Sequence, residues 1–283
     1  MMTPQNFDYS APKSLDEALS LLAEGAKPLA GGMSLIPMMK LRLAAPEHLV
    51  DLGRVKELNY IREQGGAIHV GATTTHYDVE TSSLLLSKCP LLAQTAASIG
   101  DVQVRNTGTI GGSVAHADPS ADYPAALVAL EAKVVLKSST GERTVDISDF
   151  LIDTFTTSIE PGEIIREIIV PVETAHTNYE KMAQIASGFA VVGVAARVQK
   201  TGDKISMVRI GVTGLSNHAY RATAAEKALE GTVGSAADVQ KAAALVDQGI
   251  DANADIHASA DYRRHLARVY AARSLGAALA RNA

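Results

Sequence analysis

The sequence predicts an α+β fold built from two or three packed lobes, and three observations carry that prediction. At 283 residues the chain is long for a single core. Strands and short helices alternate irregularly up to about residue 175, unlike a regular parallel βαβ wind. After a polar stretch, Glu173 to Thr177, come three strands and then an alanine-rich helical end. The organisation that follows is 1–55, 56–175 and 176–283.

Ser14-Leu15-Asp16-Glu17 fits a capping box, with Ser14 as N-cap and Glu17 reaching back. Leu15, Ala18, Leu19 and Leu22 follow the spacing of one helical face, and Gly25 is a C′ stop. A strand, Lys27 to Ala30, runs into the turn Gly31-Gly32-Met33-Ser34. Leu35 to Leu41 reads as a short helix with Pro37 in its first turn, where a missing N–H costs least. His48 to Leu52 is a strand, Gly53 to Gly66 a polar connection, and Ile68 to Ala72 a strand opening onto Thr73-Thr74-Thr75. Those hydroxyls suit a helix cap or a ligand contact.

A helix through Leu91, Leu92, Thr95, Ala96 and Ile99 ends at Gly100. Val102 to Arg105 alternates like a strand, Asn106 to Ser113 is a glycine-rich turn, and Pro124 to Leu130 is a short apolar helix. Lys133 to Lys137 and Glu142 to Asp146 form a hairpin, followed by a strand from Glu163 to Pro171. Tyr179 to Gln184, Phe189 to Val198 and Ile205 to Val212 are the three later strands. In the last, Val208, Ile210 and Val212 face one way and Arg209, Gly211 and Thr213 the other, as in a half-buried antiparallel sheet. Thr223 to Leu229, Ala236 to Val246 and Asp261 to Ala280 read as helices.

Composition narrows the function. A net charge of −5, aromatics at 4% and no Trp argue against a nucleic-acid partner. The single cysteine, Cys89, excludes internal disulfides and cysteine-held clusters within this chain; it reads as a half-buried helix-start residue. No signal peptide or bilayer-length apolar run is visible, so the chain reads as cytoplasmic, with any membrane association arising through partners. His116 and Asp118 lie two apart, but no third metal ligand is evident, and no metal site is expected.

The chain is organised around two glycine turns 80 positions apart, counting Gly32 to Gly112. The second lies in Asp101 to Leu130, which has no Lys or Arg after Arg105. Each turn follows a glycine pair with a serine, Ser34 or Ser113, or comes within one residue of doing so. Glycine lets main chain approach a ligand and turn its N–H groups toward an anion, so both turns are expected to grip a diphosphate. Gly108-x-x-Gly111-Gly112 fails the nicotinamide G-x-G-x-x-G spacing, and neither a P-loop nor a G-x-S-x-G elbow is present. Asp118 and Asp122 are either a catalytic pair or, the commoner use, ribose acceptors that also cap the next helix.

AGGMSLIPMMKLRLAAPEHLVDL, VGATTTH, IGDVQVRNTGTIGGSVAHADPSADYP and DYRRHLARVYAARSL together resemble the FAD-binding medium subunits of molybdenum hydroxylases, essentially end to end. The resemblance implies a vanillyl-alcohol-oxidase-type (PCMH-like) FAD domain of two lobes. It also implies a C-terminal domain of three-stranded antiparallel sheet and three-helix bundle. By position, Ala30, Gly31, Gly32, Met33, Ser34 and Leu35 would hold the pyrophosphate with Thr109, Ile110, Gly111, Gly112 and Ser113. Asp122 would meet the adenosine ribose, with Asp118 nearby, while Ile165 and Lys181 would lie near the flavin; Thr73 and Ala115 are further contacts. Met33 stands where relatives often have His or Gln, so backbone binding must suffice there. Phe189 replaces a ring-side Tyr of the carbon monoxide dehydrogenase type, or is simply a core aromatic.

The implied role is electron transfer. A molybdenum-cofactor large subunit oxidises substrate, an iron–sulfur small subunit carries [2Fe–2S] clusters, and FAD on this chain serves an acceptor such as NAD, a quinone or oxygen. The implied assembly is a dimer of heterotrimers, and no acid–base catalytic residue is assigned. The alternatives are a self-contained flavoenzyme with its own small substrate, or a non-catalytic nucleotide-binding scaffold.

Overall fold

A computed structural model describes residues 3–280. Three short strands, Asp8–Ser10, Lys27–Leu29 and His48–Asp51, form a parallel sheet with His48–Asp51 in the middle. The helix Leu15–Ala23 covers it through Ala18, Leu19 and Leu22. Ser14 accepts a hydrogen bond from the Glu17 N–H at 3.3 Å, but Glu17 reaches the Lys13 N–H rather than Ser14, so only half of the expected capping box forms.

The central sheet has five antiparallel strands in the order Ile61–Gln64, Ala67–Gly71, Ile164–Pro171, Lys133–Lys137, Glu142–Asp146. The hairpin pairs Lys133 with Asp146 and Lys137 with Glu142, as its alternation predicts. Ile61–Gln64 lies inside the stretch expected to be a polar connection. Its side chains are mostly exposed, so no apolar alternation announces it. One face of the sheet is packed under helices that include Pro90–Ala97 and Tyr123–Ala129, with Ile68, Val70, Val134, Leu136, Ile168 and Val170 at the contact. Cys89 is the residue before Pro90 and is fully rather than half buried; burial pushes its thiol up to about 12, which makes it inert.

Val102 to Arg105 is not a strand. Asp101 accepts from the Val104 N–H at 2.8 Å and starts the helix Val102–Thr107. The expected turn over Asn106 to Ser113 is two helix ends joined at Gly108, because Thr109 accepts from the Gly112 N–H and starts the helix Ile110–His116. In the run of threonines, Thr75 makes a full capping box with Asp78.

The C-terminal sheet is His176–Ala183, Ala190–Thr201 and Lys204–Thr213, antiparallel, with a two-residue strand, Tyr220–Arg221, added at its edge. Val208, Ile210 and Val212 turn toward the helices Thr223–Leu229, Ala236–Ala243 and Ala260–Ala280. The opposite face is not solvated. A Cβ on Gly211 would lie 1.9 Å from the Ala125 carbonyl oxygen, and the Thr213 hydroxyl donates to the carbonyls of Pro119 and Ala121 at 2.8 Å. The sheet is therefore buried on both sides, and Tyr123–Ala129 is the seam between it and the central sheet. Among the described residues no helix is long and apolar enough to cross a membrane.

Candidate functional site

The two glycine turns, far apart in sequence, meet in space. A Cβ on Gly31 would lie 2.2 Å from the Thr107 carbonyl oxygen and 2.6 Å from the Gly108 Cα, so only glycine permits this approach. Together the turns form the floor of a cleft of about 1360 Å³. Its walls carry Ala30 to Leu35, Thr73, Thr109, Gly111 to Ser113, Ala115, Asp118, Asp122, Ile165 and Phe189. Two residues expected at the site do not reach the wall: Ile110 is buried behind the floor, and Lys181 acts through other groups.

The turns are not equivalent. The N–H groups of Gly31 through Leu35 meet no acceptor among the described residues, and Gly32, at φ +69°, reverses the chain so that the row follows the turn. The second turn has already used its donors. Ile110 donates to Thr74 O, Gly111 to Ala72 O, Gly112 to the Thr109 hydroxyl and Ser113 to Thr109 O, at 2.9 to 3.2 Å. Two open cradles were expected; the structure has one open cradle and one wall braced against it. The physical reason is that the Thr74 and Ala72 carbonyls take the Ile110 and Gly111 donors, while Thr109 starts a helix whose cap and first turn take those of Gly112 and Ser113.

Asp122 departs further from expectation. It makes no side-chain cap to the helix that follows it. It is buried, and its carboxylate accepts from the Tyr179 hydroxyl at 2.6 Å and from Lys181 Nζ at 3.0 Å. Burial pushes the Asp122 carboxyl up, opposed by Lys181 and Tyr179. Lys181 also donates to the carbonyls of Ser98 at 2.7 Å and Gly188 at 2.6 Å. Asp122, expected at the ribose, and Lys181, expected near the flavin, are thus joined as an ion pair. Asp118 accepts from the Ser120 N–H at 2.8 Å and shapes the loop ahead of the seam helix.

Sequence reasoning missed two residues on this wall. His76 is 5% exposed, its ring lies 5.3 Å from that of Tyr123, and burial and the Arg105 charge lower its pKa to about 4, keeping the imidazole neutral. Phe155 projects from the hairpin Leu151–Asp153/Thr156–Thr157, 4.9 Å from the His116 ring. Neither position carries a periodicity or spacing signal.

Residues 5–173 match the family described as the FAD binding domain in molybdopterin dehydrogenase, and residues 177–278 the CO dehydrogenase flavoprotein C-terminal domain. The chain belongs to this family of FAD-binding molybdopterin dehydrogenase subunits. Among the family's members, the carbon monoxide dehydrogenase medium chain of Hydrogenophaga pseudoflava is 41% identical over 285 residues, 99% of each chain. The glyceraldehyde dehydrogenase medium chain of Sulfolobus acidocaldarius is 37% identical over 95% of this chain and 96% of its own. A solved structure of the Hydrogenophaga pseudoflava carbon monoxide dehydrogenase, in a form lacking the Mo-pyranopterin moiety, superposes with a TM-score of 0.95 at 43% identity, covering 99% of both chains.

The cleft fits the family's cofactor on its own terms. It exceeds the ~300–1,000 Å³ of sites for drug-sized ligands, as a dinucleotide requires. A row of unspent backbone donors on its floor suits a diphosphate without basic side chains.

Proposed function

We propose that this chain carries FAD along the cleft and serves as the electron-transfer subunit of a molybdenum hydroxylase complex. In this reading a large subunit with a molybdenum cofactor oxidises the substrate. A small subunit supplies electrons through [2Fe–2S] clusters, and the electrons leave to an external acceptor: NAD, a quinone or oxygen. The observation that carries the reading is the open donor row at Gly31 to Leu35, facing the braced second turn across a dinucleotide-sized cleft. One cysteine cannot hold an iron–sulfur cluster, so the clusters belong on another chain.

Bound FAD supplies the redox chemistry, accepting electrons singly and releasing them in pairs. The chain's residues bind and orient. Ala30, Met33, Ser34 and Leu35 belong to the open cradle with the two glycines. Thr109, Gly111, Gly112, Ser113 and Ala115 form the opposing wall, with Ile110 as its buried anchor. Thr73 and Ile165 line the flank, and Phe189 packs at the ring. Asp122 and Lys181 are assigned together to that end: the pair ties Gly188, and with it Phe189, to the Ser98 carbonyl. The lobes 1–55 and 56–175 close the cleft, 176–283 buttresses it, and a dimer of heterotrimers is the proposed assembly.

Purification of the full-length chain with and without companion chains tests the reading. A flavin that is reducible by artificial donors, with substrate turnover present only when companions are present, is expected. Turnover by this chain alone would identify a self-contained enzyme. A colourless, redox-silent protein would identify a scaffold.

A further inference from the structure

Of the chain's four phenylalanines, Phe150 is fully buried, while Phe155 is 57% exposed on the cleft wall. Phe155 also holds φ +52°, a left-handed conformation in which a bulky side chain is strained. The hairpin tip is held there by three contacts. The Phe155 N–H donates to Ala117 O at 3.1 Å, the Thr154 hydroxyl to Asn217 O at 3.1 Å, and the Asn217 amide to the Asp153 carboxylate at 2.5 Å. Ala117 is itself left-handed, at φ +50°. Two strained residues bonded to each other thus present an apolar ring to solvent, an arrangement the fold does not need and glycine would make without strain.

The ring has a partner. His116 lies 4.9 Å away, tilted by 39°, and also faces the cleft; burial lowers its pKa, which favours a neutral imidazole able to stack. His116 ends the helix that begins at the second glycine turn, about 9 Å along the axis from Ile110. The other exposed phenylalanine of the cleft, Phe189, belongs to a different wall, the hairpin whose Gly188 is tied to Lys181 and packs on Gly100. The cleft therefore has two aromatic stations on two hairpins, and the proposed occupant has two ring systems.

We propose that Phe155, backed by His116, is the stacking platform for the adenine ring of the bound dinucleotide. The inference rests on the reading of this cleft as the FAD site. Base-on-aromatic stacking needs a ring exposed before binding, and the strained, thrice-anchored tip presents one, with His116 behind it.

The full-length protein, purified with any accompanying chains and stripped of flavin, is titrated with FAD, with FMN and with ADP as competitor. The variants are Phe155→Leu and Phe155→Gly. Both are expected to weaken FAD and ADP binding about tenfold while leaving FMN binding unchanged. Phe155→Gly is also expected to raise the melting temperature of the flavin-free protein, because it relieves the left-handed strain. Unchanged FAD and ADP affinity in both variants would overturn the platform. So would an equal loss for FMN, which would place the isoalloxazine there, or a lower melting temperature in Phe155→Gly, which would make the ring a packing element. Wild-type protein that fails to take up FAD would instead sink the reading of the cleft itself.

Discussion

Replacing Lys181 by methionine tests the buried pair at the seam. In that variant Asp122, only 4% exposed, keeps the Tyr179 hydroxyl but loses its counter-charge. Breaking a buried pair by removing one partner costs about 3–5 kcal/mol. Asp122 sets its own ceiling, because it can escape by taking up a proton. From an ordinary carboxyl value near 3.9, staying protonated at pH 7 costs about 4 kcal/mol, and at pH 5 about 1.5 kcal/mol. The folded-state pKa is raised, so the folded state binds more protons than the unfolded state between pH 4 and 7, and stability falls as pH rises through that window. The variant should therefore be destabilised by about 4 kcal/mol at pH 7 and clearly less at pH 5, above a pH-independent remainder from the carbonyls of Ser98 and Gly188. Urea unfolding of flavin-free protein at a series of pH values measures this. The double variant Asp122→Asn/Lys181→Met should lose the pH dependence. Equal destabilisation at pH 5 and 7, or a loss below about 1 kcal/mol, would refute the buried-charge argument.

Three further outcomes are expected. His76 has its pKa lowered to about 4, so its penalty is absent above pH 6.5 and grows to about 3 kcal/mol as pH falls to 4; His76→Gln should flatten that part of the stability–pH curve in chemical denaturation. Gly111→Val should lower the melting temperature, because its Cβ would lie 2.5–2.8 Å from Ala72 Cβ, O and Cα; overpacking of this kind costs about 1–3 kcal/mol. Gly25→Ala should have only a small effect on flavin content, since nothing lies within 4 Å of the added Cβ, though φ +95° makes the backbone strained and the melting temperature should drop slightly.

Much of the fold was legible because its signals are local. The valine and isoleucine alternation of Ile205 to Val212, the hairpin around Gly141 and the helical end all follow from side-chain period and turn residues. What was not legible depended on tertiary partners. Val102-Gln103-Val104 alternates like a strand, and the Asp101 cap overrides that pattern. The face carrying Arg209, Gly211 and Thr213 looks solvated until the seam helix is seen against it. The meeting of the turns was anticipated from two glycine pairs. Their inequality was not, because whether an N–H is spent depends on Thr74 O and Ala72 O, acceptors on a neighbouring segment. The joining of Asp122 to Lys181 likewise needed the C-terminal sheet to be laid on the seam helix.

FAD content of Gly112→Val against wild type is the most direct test of the central claim. Gly112 is exposed on the cleft floor; an added Cβ would lie 2.8 Å from the hydroxyl of Thr109, the cap that accepts from the Gly112 N–H, and otherwise nothing nearer than Ala30 Cβ at 4.0 Å, so a cap loss of about 1 kcal/mol is expected. The side chain should fit the fold and obstruct the space between the turns. Stoichiometric FAD on wild-type protein and none on Gly112→Val, with both proteins unfolding cooperatively without flavin, is the predicted result. Equal FAD on both proteins would place the dinucleotide somewhere else.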